Sequence, residues 1–65
     1  MTNREKVQEE IVEKILRYKM KAKEQTLQIA YYDYMGRAKG ILEVAYEYHL
    51  IDFDTYEALE RNLAT

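Results

Sequence analysis

The chain contains no proline, and its only glycines are Gly36 and Gly40. Proline and glycine cost an α-helix more than any other residue type, so nothing ahead of residue 36 forces a helix to stop. Helix is the default for the N-terminal half. Thr2 and Glu5 have the Thr-x-x-Glu spacing of a capping box, which would satisfy free N–H groups at a helix start. Val7, Ile11, Ile15, Tyr18 and Ala22 then recur every three or four residues as one apolar stripe. At about 100° per residue, Ile29, Gly36 and Gly40 continue that face.

A second stripe starts almost opposite the first. Leu27, Ala30, Tyr34, Ala38, Ile41, Ala45 and Tyr48 form it, and Tyr31, Met35, Leu42 and Tyr46 widen it until residues 27–48 are apolar around most of the circumference. A helix apolar nearly all round is covered on several sides. After Tyr48, His49 suits a left-handed residue closing the helix with Leu50 as its hydrophobic contact. Asp52 fits the next N-cap, with Ile51 and Tyr56 as a hydrophobic staple. Phe53, Tyr56, Leu59 and Leu63 give the last helix a single apolar face, expected to fold back on Ile41, Ala45 and Tyr48.

These patterns predict an all-α fold, a long and possibly bent helix over about residues 3–49 followed by a short C-terminal helix over about 53–63. The short helix folds back as a helical hairpin, and residues 1–65 form a single helical domain packed as an oligomeric bundle. A continuous first helix would be about 70 Å long, whereas a compact chain of this size has a radius of gyration of about 11 Å. It would need a partner chain. A break near residues 23–26, where the stripe changes side, would instead give three helices. No Gly, Pro or Asn marks that break, so the continuous helix is favoured.

Several chemistries are excluded by what the chain lacks. It has 65 residues, no cysteine and one histidine, so neither a disulfide nor a Cys/His metal site can support its small core. No nucleophile, base and orienting group can be proposed together, which predicts a non-enzyme without cofactor. The start is charged and no run of about 18 apolar residues occurs, so a cytoplasmic protein without membrane contact is expected. Residues 1–25 carry seven Lys/Arg against five Asp/Glu, and residues 26–65 three against seven. A generally basic nucleic-acid binder is not indicated. Lys14, Arg17 and Lys21, with Lys19 and Lys23, could still touch phosphates as a small DNA-associated regulator would. Glu10 and Glu13 precede Lys14 and Arg17 by four residues, and a salt-bridged helix face is the expectation.

Two groups remain as candidate contact sites. Gly36 and Gly40 lie at helical spacing on one face and suit a close helix crossing, within the chain or between chains. Tyr31, Tyr32, Met35, Leu42 and Tyr46 project to a side the short last helix cannot wholly cover, and tyrosine and methionine are enriched where proteins bind proteins. The run from Tyr31 to Leu59, with glycines inside a tyrosine-rich helix and a His-Leu-Ile-Asp turn into a Tyr-x-x-Leu helix, resembles small helical proteins of Gram-positive bacteriophages and prophages. The resemblance covers about half the chain. It implies a protein of the host cell that binds and modulates or inhibits a larger host or defence protein, and the small unsupported core implies that the module also self-associates. It assigns no functional residue.

Overall fold

A computed structural model describes residues 2–65. It is all helical, with no strand among those residues: α1 spans Asn3–Lys23, α2 Gln28–Glu47 and α3 Phe53–Ala64. The continuous helix expected over residues 3–49 is not formed. The chain turns at residues 24–27, so α1 and α2 are antiparallel neighbours. The turn is made without glycine. Glu24 N–H donates to the carbonyls of Met20 and Lys21, Gln25 N–H donates to Ala22, and the Gln25 side chain donates to Lys21 O at 3.1 Å. α2 then starts at Leu27 with no side-chain cap. Burial supplies the physical reason for the turn: in one straight rod, Ile15 and Met35 would have no apolar neighbour beyond their own helix.

Folded, they share one core. Ile15 and Ala22 of α1, Met35, Ala38, Leu42 and Ala45 of α2, Ile51 of the second turn, and Leu59 and Leu63 of α3 are all buried together. The α2 members are three or four residues apart, the period of one helix face. Two sequence expectations are corrected at this core. Met35 and Leu42 are only 5% and 3% exposed, so they belong to the chain's own interior and not to a partner surface. α3 packs along Lys39, Leu42, Glu43 and Tyr46, not along Ile41 and Tyr48. Leu42 lies on the buried side of α2, where α3 closes over it. Ile41, about 100° away on α2, faces α1's side instead.

Both expected caps form. Thr2 Oγ1 accepts from Glu5 N–H at 3.2 Å. Asp52 Oδ1 accepts from Thr55 N–H at 2.7 Å, and Asp52 N–H donates to Gln8 Oε1 of α1 at 2.9 Å. A cap usually draws that second bond from its own helix; here α1 supplies it and ties the α3 start to the hairpin. His49 has φ 59°, its N–H donates to Tyr46 O and Leu50 N–H donates to Ala45 O. That is the double hydrogen bond of a Schellman closure, with Leu50 as its apolar member. At the far end, Lys19 Nζ donates to Asn62 O and Oδ1 at 2.7 and 2.6 Å, so α1 holds both ends of α3.

Asp52 carries the pH dependence of this corner. The Thr55 backbone hydrogen bond, then the Thr55 and Gln8 side chains, hold its carboxyl below the ordinary value of 3.8. A lowered folded pKa stabilises the fold above the unfolded value and loses that contribution as pH falls through the folded one. Asp52→Ala should lower the midpoint of thermal unfolding at pH 7. The gap from wild type should close as the buffer is taken below pH 3.8. A gap constant from pH 7 to pH 2 would show that the charged carboxylate is not what caps α3.

Candidate functional site

α3 covers one side of the α1–α2 hairpin and leaves two apolar surfaces without a partner in the chain. The first is the hairpin tip. Met20 on the last turns of α1, Leu27 in the turn, and Ile29 and Tyr32 on the first turns of α2 are the four most exposed large apolar side chains after Tyr48 is set aside. The molecule measures 39 × 18 × 17 Å, so helices of this length put the turn at one end of the long axis. Tyr31 and Tyr32 meet edge to face with ring centroids 5.4 Å apart, which fixes both rings beside the turn.

The second surface is the hairpin face away from α3. Ile11 and Tyr18 of α1, Ile41 and Val44 of α2, and Leu50 line an open groove of about 580 Å³, with Gly40 in its wall. Val44 is 52% exposed there. It lies about 200° around α2 from Tyr46, which packs toward α3. Lys14 and Arg37 stand at the rim.

The sequence-predicted residues are therefore divided. Tyr31 and Tyr32 stand at the tip. Tyr46, fourteen residues further on and about 21 Å along the helix, stacks on Tyr56 at 4.3 Å and lies 6.3 Å from Phe53 at the other end. Tyr56 donates to Glu60 at 3.2 Å, and that bond, with partial burial, raises its pKa above 10.0 and keeps the hydroxyl protonated. The five side chains do not form one face. Gly36 and Gly40 sit mid-helix with no positive φ, and a Cβ at either would meet nothing within 4 Å. No helix of the chain itself crosses there, which corrects the intramolecular half of that expectation.

The salt bridges expected from Glu10 to Lys14 and from Glu13 to Arg17 are absent. Among the described residues the ion pairs are Asp33–Arg37 at 3.1 Å and Glu57–Arg61 at 3.4 Å. Lys14, Arg17 and Lys21 instead surround Tyr18 as unpaired cations. Lys19 is turned away to Asn62 and leaves that group. The tip is what sequence reasoning missed. Leu27 and Ile29 belong to different stripes and Met20 to neither, and the three come to one end of the molecule only once the chain turns.

Among the described residues no group of three or more His, Asp or Glu side chains could hold a metal ion. Among the same residues no helix is long and apolar enough to cross a membrane. No protein family, curated protein or solved structure matches the chain.

Core and tip should separate in stability measurements. Leu42→Ala should cost about 2–5 kcal/mol, as for other buried leucines. Leu27→Ala should stay within about 0.5 kcal/mol of wild type, as exposed substitutions do. Urea unfolding of the two variants checks this, and equal costs would contradict the placement of either residue.

Proposed function

We propose that the chain is a non-enzymatic, self-associating protein-interaction module that binds and modulates a larger protein through the hairpin tip. The carrying observation is the exposure of Met20, Leu27, Ile29 and Tyr32 together at one end of a narrow molecule. A protruding apolar end fits a concave site on something larger, and methionine and tyrosine are residue types that dominate such contacts. The rings are held before binding by the Tyr31–Tyr32 contact, so little freedom is lost on docking. The resemblance to small phage and prophage proteins favours a host or competitor protein in the host cytoplasm as target, with inhibition as the outcome.

A second reading has one observation in its favour. Lys14, Arg17 and Lys21 are unpaired and stand around one aromatic ring, Tyr18, as phosphate-binding groups beside a stacking platform would. Against it, Lys19 is engaged and the corner helix opens with Asp52 and Asp54, the wrong sign for a phosphate backbone.

The test is affinity capture from host lysate with tagged wild type and with Leu27→Ser/Tyr32→Ala, both confirmed folded by circular dichroism. One protein recovered in stoichiometric yield by wild type, resistant to raised salt and lost with the variant, is the result expected. Recovery of the same proteins by both would remove the tip from the account. Binding to duplex DNA that collapses steeply with salt would favour the regulator instead.

A further inference from the structure

The hairpin face away from α3 has no partner within the chain, and we infer that it takes an amphipathic helix of another protein, one whose polar edges carry Asp and Glu. That helix lies along the seam between α1 and α2, on the opposite side from α3. The surface is separate from the tip and does not depend on the tip's role.

The shape of the surface sets the form of the occupant. The groove between Ile11 and Tyr18 of α1 and Ile41 and Val44 of α2 runs on past Leu50 into a second hollow of about 400 Å³ beside Val7. From Val7 to Tyr18 the apolar strip is about 16 Å long, or about three helical turns. Val7, Val44 and Leu50 are exposed along it. An extended peptide would find no strand edge there, and its backbone N–H and C=O groups would be covered without partners, whereas a helix satisfies its own. The hairpin already accepts one helix in this manner, since α3 lays Leu59 and Leu63 into the core from the other side. Gly40 stands in the groove wall, where a Cβ would meet nothing within 4 Å, and its bare backbone lets the incoming helix approach closely.

Charge sets the chemistry of the occupant. Arg4 stands at the Val7 end of the strip, Lys14 midway, Arg17 and Lys21 around Tyr18, and Arg37 across from them on α2; no carboxylate lines any of these hollows. Of the five cations Arg37 alone has a carboxylate partner, the exposed Asp33. Glu10 and Glu47 lie away from the groove, about 40° round α1 from Lys14 and about 60° round α2 from Val44. The chain as a whole has a net charge of −2, and the hollows against α3 hold Glu5, Glu43, Asp52 and Glu60. The groove is thus a cationic face on an acidic chain. A second copy laid groove to groove would set these cations against one another, as would a basic helix, and like charges across an interface are unfavourable. Carboxylates along both edges of an apolar stripe answer them.

Titration of the isotopically labelled full chain with designed peptides tests this by nuclear magnetic resonance. One peptide of about five helical turns carries Leu at every third or fourth position and Glu on either side of that stripe; a second has Lys in place of each Glu. The Glu peptide should shift the amide signals of Ile11, Tyr18, Val44 and Leu50 and leave those of Leu27 and Ile29 in place. The Lys peptide should bind roughly tenfold more weakly, by like-charge opposition. Val44→Glu and Gly40→Leu, both at sites open in the chain itself and confirmed folded by circular dichroism, should each weaken the Glu peptide to a similar extent. Lys14→Glu/Lys21→Glu should reverse the preference between the two peptides. Leu27→Ser/Tyr32→Ala should bind the Glu peptide as wild type does, so failure at the tip and failure at the groove are distinct results. No binding of the Glu peptide at millimolar concentration, equal affinity for both peptides, or shifts confined to the tip would overturn the inference. A two-copy mass in sedimentation that Val44→Glu abolishes would give the groove to a second copy and overturn it as well.

Discussion

The seam between α1 and α2 holds up everything else in the molecule. Ile15 and Ala22 on one side share a buried cluster with Met35, Ala38, Leu42 and Ala45 on the other. Three of those six are alanines, whose small side chains let the two helices lie close enough for the few large ones to be fully covered. Short helices are marginal in water on propensity alone, so this packing is what makes α1 and α2 persist. With no cysteine and, among the described residues, no cluster that could hold a metal, the core of nine buried residues has no substitute if the seam opens. α3 depends on it too, because Gln8 and Lys19 of α1 bond its two ends while Leu59 and Leu63 reach into the same cluster.

The second corner was legible in the sequence because local chemistry specifies it. His49 in the left-handed region, Leu50 behind it and Asp52 as cap act within a few residues of one another. The first corner was marked only by the change of side of the apolar stripe near residues 23–26, and by no local turn signal. Glu24, Gln25 and Leu27 are good helix formers, and no residue there prefers a turn strongly. Burial at a distance overrides that local preference: only by turning can the stripe through Ile15 meet the stripe through Met35. The same non-local cause exchanged the two faces of α2. Periodicity showed that residues 27–48 were apolar nearly all round. It could not show that α3 would take the Leu42 and Tyr46 side and leave Ile41 and Val44 open.

What the fold leaves uncovered is uneven. The Tyr46, Phe53 and Tyr56 rings are occupied largely with one another, whereas the tip and the groove have no partner in the chain. A single marginal hairpin thereby leaves two separate apolar surfaces open. Their separation follows from the antiparallel geometry, which puts the turn at one end and the groove along the side.

The central claim is that residues 24–27 turn the chain back on itself, and a distance across the seam tests it most directly. Spin labels at positions 4 and 47, in a sample diluted with unlabelled protein, read that distance within one chain. The folded hairpin brings these ends together, with the Arg4 guanidinium donating to His49 O at 3.4 Å, so dipolar spectroscopy should give a label separation of about 15–25 Å once label length is added to neighbouring helices. A separation of about 65 Å, the span of an unbroken helix over those positions, would contradict the turn and with it the core, the tip and the groove.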